Sequence, residues 1–182
     1  MNKLILILTL LAVCNLARAQ ETRTEVTKST TALDDSKPNN PLVPEAYAIS
    51  GKFERVVLVR LKYQADLLAG IESIVKKEKI RSGVILSGVG SLCGYHLHTV
   101  SNRTFPSKNV FVHNPQAPAD LLSMNGYVFD GRVHAHVTLA NPDKAFGGHL
   151  EPGTEVFTFA VVTIGVLNDK TDLSRADDKT WR

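Results

Sequence analysis

The alternation of apolar and polar positions predicts a domain built mostly from β-strands. Short runs rich in Val, Ile, Phe, Tyr and Thr are separated by Gly, Pro, Asn and Asp, which is typical of strands joined by turns. Asp130-Gly131 has the composition of a hairpin turn. The predicted strands are Phe53–Leu61, Gly83–Leu92, Cys93–Ser101, Asn109–His113, Leu121–Phe129, the strand around His134, and Thr154–Leu167.

One segment has helical periodicity instead. Its apolar residues recur at spacings of three and four, so they would share one buried stripe. They are Leu67, Leu68, Ile71, Ile74 and Val75. Asp66 is suited to cap the first turn and Gly83 to end the helix. A strand, a helix and then several strands predict an α+β fold, with one main helix packed on a mostly antiparallel sheet.

The N-terminus has the three parts of an export signal. Lys3 provides the positive charge, Leu4–Val13 the apolar core, and Ala17-Arg18-Ala19 the small-residue cleavage pattern. The sequence therefore predicts a signal peptide at residues 1–19, cleaved after Ala19, and a secreted or periplasmic protein. A lipoprotein is the alternative because Leu11–Cys14 resembles a lipobox, although Val13 is larger than the residue that usually precedes the cysteine.

The remaining chain divides by composition into two parts. Residues 20–45 are rich in Thr, Ser, Asp, Asn and Pro and predict a flexible leader, whereas residues 46–182 predict a single domain. Removal of residues 1–19 takes away Lys3 and Arg18, which leaves 19 basic and 18 acidic residues and a formal charge of +1 instead of +3. A near-neutral domain lacks the overall positive charge that phosphate-driven nucleic-acid binding normally needs.

The candidate chemistry is concentrated in two neighbouring segments. His134 and His136 lie two residues apart in a predicted strand, so their imidazoles should share one face. His149 follows Gly147 and Gly148 after a short loop, where backbone can approach closely. Three imidazoles converging from a strand pair and a loop predict a metal site for zinc or a similar divalent ion, with one open position.

That site has several functional interpretations. The histidines could simply form a polar strand face at a subunit contact. With a metal, the open position could bind a small ligand beside Gly147, Gly148 and Glu151. It could also activate water in a metal-dependent hydrolase, with Glu151 as the base. The sequence identifies no catalytic residue beyond that candidate.

Two further patterns are interpreted as structural. His96 and His98 could add ligands to the three-histidine set, but we favour a polar strand face for them, and we interpret His113 as a surface loop residue. Gly88-x-Gly90 lacks the third glycine of a nucleotide-binding fingerprint. We interpret it as a glycine-rich turn where backbone packs closely against a neighbouring strand or subunit.

Particular motifs within this order of elements resemble the plants-and-prokaryotes conserved (PPC) domain. The most specific is the His-x-His strand followed by Gly-Gly-His-Leu. The resemblance covers roughly Phe53 to Leu167. Its motifs are Arg60-Leu61, Asp66-Leu67, Ser87–Leu92, Leu121–Gly126, Val133–Ala140 and Phe146–Leu150.

The resemblance implies a compact α+β subunit that assembles into a homotrimer. It also implies a zinc-type site in which His134, His136 and His149 match the histidines of prokaryotic members. Plant members carry AT-hooks and bind DNA, and bacterial members are often described as DNA-binding. This chain contains no Arg-Gly-Arg-Pro hook, and its predicted export and near-neutral charge argue against DNA as its partner.

Overall fold

The computed structural model describes residues 20–27, 44–104 and 106–176. Within these ranges the chain forms one α-helix and an eight-stranded antiparallel sheet, which confirms the predicted α+β class. The predicted signal peptide lies outside the described residues. The elements are β1 (Thr22–Thr27), β2 (Phe53–Lys62), α1 (Leu67–Lys77), β3 (Ser82–Val100), β4 (Lys108–Asn114), β5 (Ala119–Phe129), β6 (Arg132–Ala140), β7 (Ala145–Leu150) and β8 (Glu155–Leu167).

Strand β3 organises the sheet because it is long enough to pair with four others. Its first half pairs with β5 and β8, and its second half pairs with β4 and β7. Strand β6 lies between β5 and β7. Strands β3, β5, β6 and β7 therefore form a closed circuit, which protects their backbone groups from becoming free sheet edges.

The sequence predicted two strands and a glycine-rich turn where the structure has the single strand β3. The predicted turn at Gly88–Gly90 is wrong, and the register instead shifts at irregularities along the pairing with β8. The predicted close packing is confirmed. A Cβ atom at position 90 would lie 2.4 Å from the carbonyl oxygen of Phe159, so glycine lets β8 approach without breaking the strand.

Helix α1 begins as predicted but ends earlier. The Asp66 carboxylate accepts a hydrogen bond from the Ala69 amide at 2.8 Å, as an N-cap residue does. The helix ends at Lys77 and not at Gly83, because Lys79 takes a left-handed conformation with φ of 53° and turns the chain into β3. No helix within the described ranges is long and apolar enough to cross a membrane.

The hydrophobic core lies between α1 and the inner face of the sheet. The helix contributes the apolar stripe that its periodicity predicted, with Leu67 and Ile71 completely buried. The sheet contributes alternate residues such as Leu139 on β6 and Ile164 on β8, which are also fully buried. The side chains between them on those strands point to the other face of the sheet, where the histidines lie.

Part of the predicted flexible leader forms strand β1. Thr22–Thr27 pairs antiparallel with β4 along its length, with Thr24 opposite Phe111. The Glu21 carboxylate accepts a hydrogen bond from the Tyr95 hydroxyl at 3.1 Å. The polar composition concealed a β-branched alternation that suits an edge strand, and the open edge of β4 offers it backbone partners.

Candidate metal centre

His134 and His136 project from the same face of β6, as their spacing predicts. The alternate residues Val133, Ala135 and Val137 face the core and are buried. The two imidazole rings lie parallel within 28°, with their centres 5.4 Å apart. Burial of the apolar residues on one side of β6 therefore fixes both histidines on the other side.

His149 lies on strand β7, whereas the sequence predicted a loop. It is directly opposite His136 in the pairing of β6 with β7. The two glycines before it allow close approach, as predicted. A Cβ atom at Gly147 would lie 2.2 Å from the Val137 carbonyl oxygen, and one at Gly148 would lie 2.6 Å from the His98 carbonyl oxygen. A side chain at either position would push β7 away from a neighbouring strand.

The three predicted ligands come together in a compact group. The centre of the His149 ring is 4.7 Å from that of His134 and 5.1 Å from that of His136. His149 Nδ1 lies 3.4 Å from His136 Nε2, and one nitrogen of each ring lies within 4.8 Å of the others. Zinc–nitrogen bonds of about 2.0–2.1 Å in a tetrahedron place ligand nitrogens roughly 3.3 Å apart. The residues therefore fit a three-histidine zinc site with one open position.

His98 adjoins this group. Strand pairing places His98 opposite His149, and their ring centres are 4.5 Å apart. His98 Nδ1 forms a 2.5 Å hydrogen bond with the Glu151 carboxylate. His98, His149 and Glu151 form a second group that could hold a metal ion, and it shares His149 with the first. Of the two interpretations left open for His98, its position favours the one that adds it to the histidine set.

The other two histidines lie on the same face but outside both metal-capable groups. His113 is on β4 opposite His96, and their ring centres are 4.8 Å apart. His113 thus lies within the predicted strand Asn109–His113 and not on a surface loop. His96 Nδ1 hydrogen-bonds to the Pro152 carbonyl oxygen at 2.8 Å. The six histidines form one band across β4, β3, β7 and β6.

The electrostatic environment keeps the central imidazole unprotonated. Burial, reinforced by the neighbouring histidines and the Arg132 guanidinium, lowers the pKa of His149 from 6.5 to about 3. Burial and the proximity of His98 also lower the pKa of His136. A metal binds the neutral imidazole, so these two ligands would not need to release a proton at neutral pH.

A cavity of about 370 Å³ opens beside His134 and His136. The opposite wall of the cavity is formed by β5. Because β5 pairs with β6, alternate side chains of β5 lie on the same face of the sheet as His134 and His136. The sequence analysis did not identify this wall, because it depends on the register between the two strands. The lining residues are Asn125, Gly126, Tyr127, Phe129, His134, His136 and Ala176.

Comparison with known proteins gives matches to parts of larger proteins and to whole domains. The chain is 27% identical over 111 residues to the bifunctional protein GlmU of Synechococcus sp. (strain JA-2-3B'a(2-13)). That match covers 60% of this chain but only 16% of the relative. The activity of the whole relative is therefore not transferred to this chain.

Two solved structures share the fold over nearly their whole length. One is a plant- and prokaryote-conserved (PPC) protein from Pyrococcus horikoshii, 26% identical, with a TM-score of 0.61 over 75% of this chain and 97% of the other. The second is the metal-containing protein AF0104 from Archaeoglobus fulgidus, 24% identical, with a TM-score of 0.62 over 75% and 95% of the two chains. The second likeness shows the fold alone.

The family model for the Plants and Prokaryotes Conserved (PCC) domain matches residues 48–168. The match begins just before β2 and ends just after β8, so it includes α1 and every histidine of the band. It also agrees with the family that the His-x-His and Gly-Gly-His-Leu motifs indicated. The chain belongs to the Plants and Prokaryotes Conserved (PCC) domain family.

Proposed function

We propose that this chain is an exported PCC-domain module that binds a zinc-type divalent metal ion through His134, His136 and His149 and a small ligand beside it. The observation that carries the proposal is the 3.4 Å separation of nitrogens on His136 and His149, with a nitrogen of His134 close to both. Export is proposed from the signal-peptide pattern at residues 1–19.

The three imidazoles would hold the ion and leave one position for a ligand. When bound, the ion supplies a Lewis acid. The chain's own residues position the ligands, since β6 fixes His134 and His136 while Gly147 and Gly148 let β7 bring His149 close. His98 and Glu151 lie at the border of this arrangement and support it through the contact of His98 with His149.

Binding is favoured over hydrolysis because Glu151 already has a partner. Its carboxylate is hydrogen-bonded to His98, so it orients an imidazole instead of facing the open position as a base. Nucleic-acid binding is less well supported, since the predicted mature chain has a formal charge of only +1. Gly147, Gly148 and Glu151, which the sequence placed beside the ligand, are not among the residues that line the cavity next to His134 and His136.

Elemental analysis of the purified protein tests the metal proposal. We expect about one zinc or other transition-metal ion per chain after expression in zinc-supplemented medium. Dialysis against a chelator should remove the ion, and added zinc should restore it to the same level. Protein that contains no metal and takes up none on titration would contradict the proposal.

We further propose that the module is a homotrimer, as the family resemblance implies. A patch of exposed apolar side chains on β2, β3, β5 and β8, here called the apolar patch, supports assembly. Leu58 on β2 is 71% exposed, which leaves a large apolar surface in water for a monomer. The patch consists of Val56, Leu58, Val89, Leu122, Phe157 and Phe159.

Light scattering on the purified protein should give three times the chain mass, and Leu58→Glu should reduce it to the mass of one chain. The added charge would have to be buried in the interface without a partner, which is strongly unfavourable. Val100→Glu is the matched control, because Val100 is 66% exposed but lies at the far end of β3. A wild-type monomer would contradict the trimer, and a trimeric Leu58→Glu would exclude the apolar patch around Leu58 as its interface.

A further inference from the structure

The cavity beside the histidines has walls of three chemical kinds. Asn125 provides an amide, Tyr127 and Phe129 provide aromatic rings, and His134 and His136 provide imidazoles. Its volume of about 370 Å³ is near the lower end of the range for small-molecule sites, which is about 300–1,000 Å³. The cavity therefore suits a compact ligand that reaches the histidines at one end.

The aromatic wall favours a flat apolar body. The rings of Tyr127 and Phe129 are stacked with an interplanar angle of 25° and centres 5.5 Å apart. Tyr127 remains 47% exposed despite its size, so a ligand covering it would remove apolar surface from water. An aromatic ring would add the favourable geometry of ring pairing. The Phe129 ring lies 6.0 Å from the His134 ring, so this wall leads directly to the histidines.

The charge around the cavity favours an anion at the histidine end. The described lining residues include no carboxylate. The Arg132 guanidinium lies 5.9 Å from the centre of the Phe129 ring and so adds positive charge next to the aromatic wall. Three neutral imidazoles do not cancel the charge of a divalent cation, and a carboxylate would do so in part.

We propose that this cavity binds a small aromatic carboxylate, with the ring against Tyr127 and the carboxylate directed toward His134 and His136. The proposal rests on the proposed metal site, because the cation is the main charge partner of the carboxylate. It deepens that function by naming the class of ligand. An aliphatic acid would provide the negative charge for the cation but no ring to pack on the aromatic wall. An aromatic alcohol would provide the ring but not the negative charge.

Calorimetric titration of the zinc-loaded full chain with benzoate, acetate and benzyl alcohol tests the proposal. We expect benzoate to bind about tenfold more tightly than acetate, since ring pairing is worth on the order of a factor of ten. It should also bind more tightly than benzyl alcohol, which has the ring but lacks the negative charge. Tyr127→Ala should weaken benzoate binding about tenfold and leave acetate binding unchanged. Tyr127→Phe is the matched control and should retain benzoate affinity, because it keeps the ring and removes only the hydroxyl group.

Separate measurements on the same samples distinguish the possible failures. Zinc uptake with equal affinities for the three compounds, or benzoate binding unaffected by Tyr127→Ala, would overturn the ligand class and leave the metal site standing. Equal benzoate affinity without zinc would also overturn it. Absence of zinc uptake would overturn both proposals. A change of mass in Tyr127→Ala would assign Tyr127 to a subunit contact and thereby overturn its ligand role.

Discussion

Replacing His149 by alanine is expected to weaken zinc binding by roughly a hundredfold or more. His149 is common to both metal-capable groups, and its ring contacts His98, His134 and His136. Structural zinc sites with four ligands bind with about 10–16 kcal/mol, so one ligand is worth on the order of 3 kcal/mol. Competition with a chromogenic zinc chelator would measure the change.

Three further alanine variants locate the ion within the histidine band. If the three-histidine site is correct, His134→Ala should resemble His149→Ala, whereas His98→Ala should cost about tenfold, as for a neighbour of a ligand. His113→Ala is the matched control, because His113 lies on the same face but outside both groups. A large loss in His98→Ala with none in His134→Ala would move the ion to His98, His149 and Glu151. Unchanged affinity in His149→Ala would exclude both groups.

The second large effect is a loss of metal-free stability as the pH falls below about 6.5. The folded protein holds the pKa of His149 at about 3, whereas the unfolded chain has the ordinary value of 6.5. Between these values the unfolded state binds a proton that the folded state does not, so acidification favours unfolding. The slope approaches about 1.4 kcal/mol per pH unit, which amounts to about 2 kcal/mol between pH 6.5 and 5.

Urea unfolding in the presence of a chelator at pH 7, 6 and 5 would measure this dependence. His149→Asn is the comparison, because asparagine is polar but does not titrate in this range. Other groups titrate in both proteins, so the difference between the two slopes isolates His149. We expect the variant to lose stability less steeply with acid. Parallel slopes would show that His149 takes up its proton normally in the folded state.

Local pattern was sufficient for much of the fold. The helix capped by Asp66 and the hairpin at Asp130-Gly131 each depend on contacts within a few residues. The shared face of His134 and His136 was also predictable from local sequence, because Val133, Ala135 and Val137 are buried on the other face of the strand. Such features can be predicted from sequence because the residues that contact each other are also close together along the chain.

Features that depend on distant partners were the ones missed. Strand β1 forms because β4 offers an open edge, and Gly88–Gly90 stays extended because β8 packs against it. The relation of His98 to His149 stayed open because 51 residues separate them, and only the pairing of β3 with β7 places them together. A sequence pattern specifies which face of a strand a side chain takes, but not which strand lies beside it.

The candidate site shows the same division. The sequence by itself determined the three imidazoles, the shared strand face of His134 and His136, and the need for glycine before His149. The tertiary structure decided that His98 and Glu151 border them and that Tyr127 and Phe129 wall the neighbouring cavity. The physical reason is register. A one-residue shift between paired strands would turn each of these side chains to the other face, and register is fixed by burial across the whole sheet.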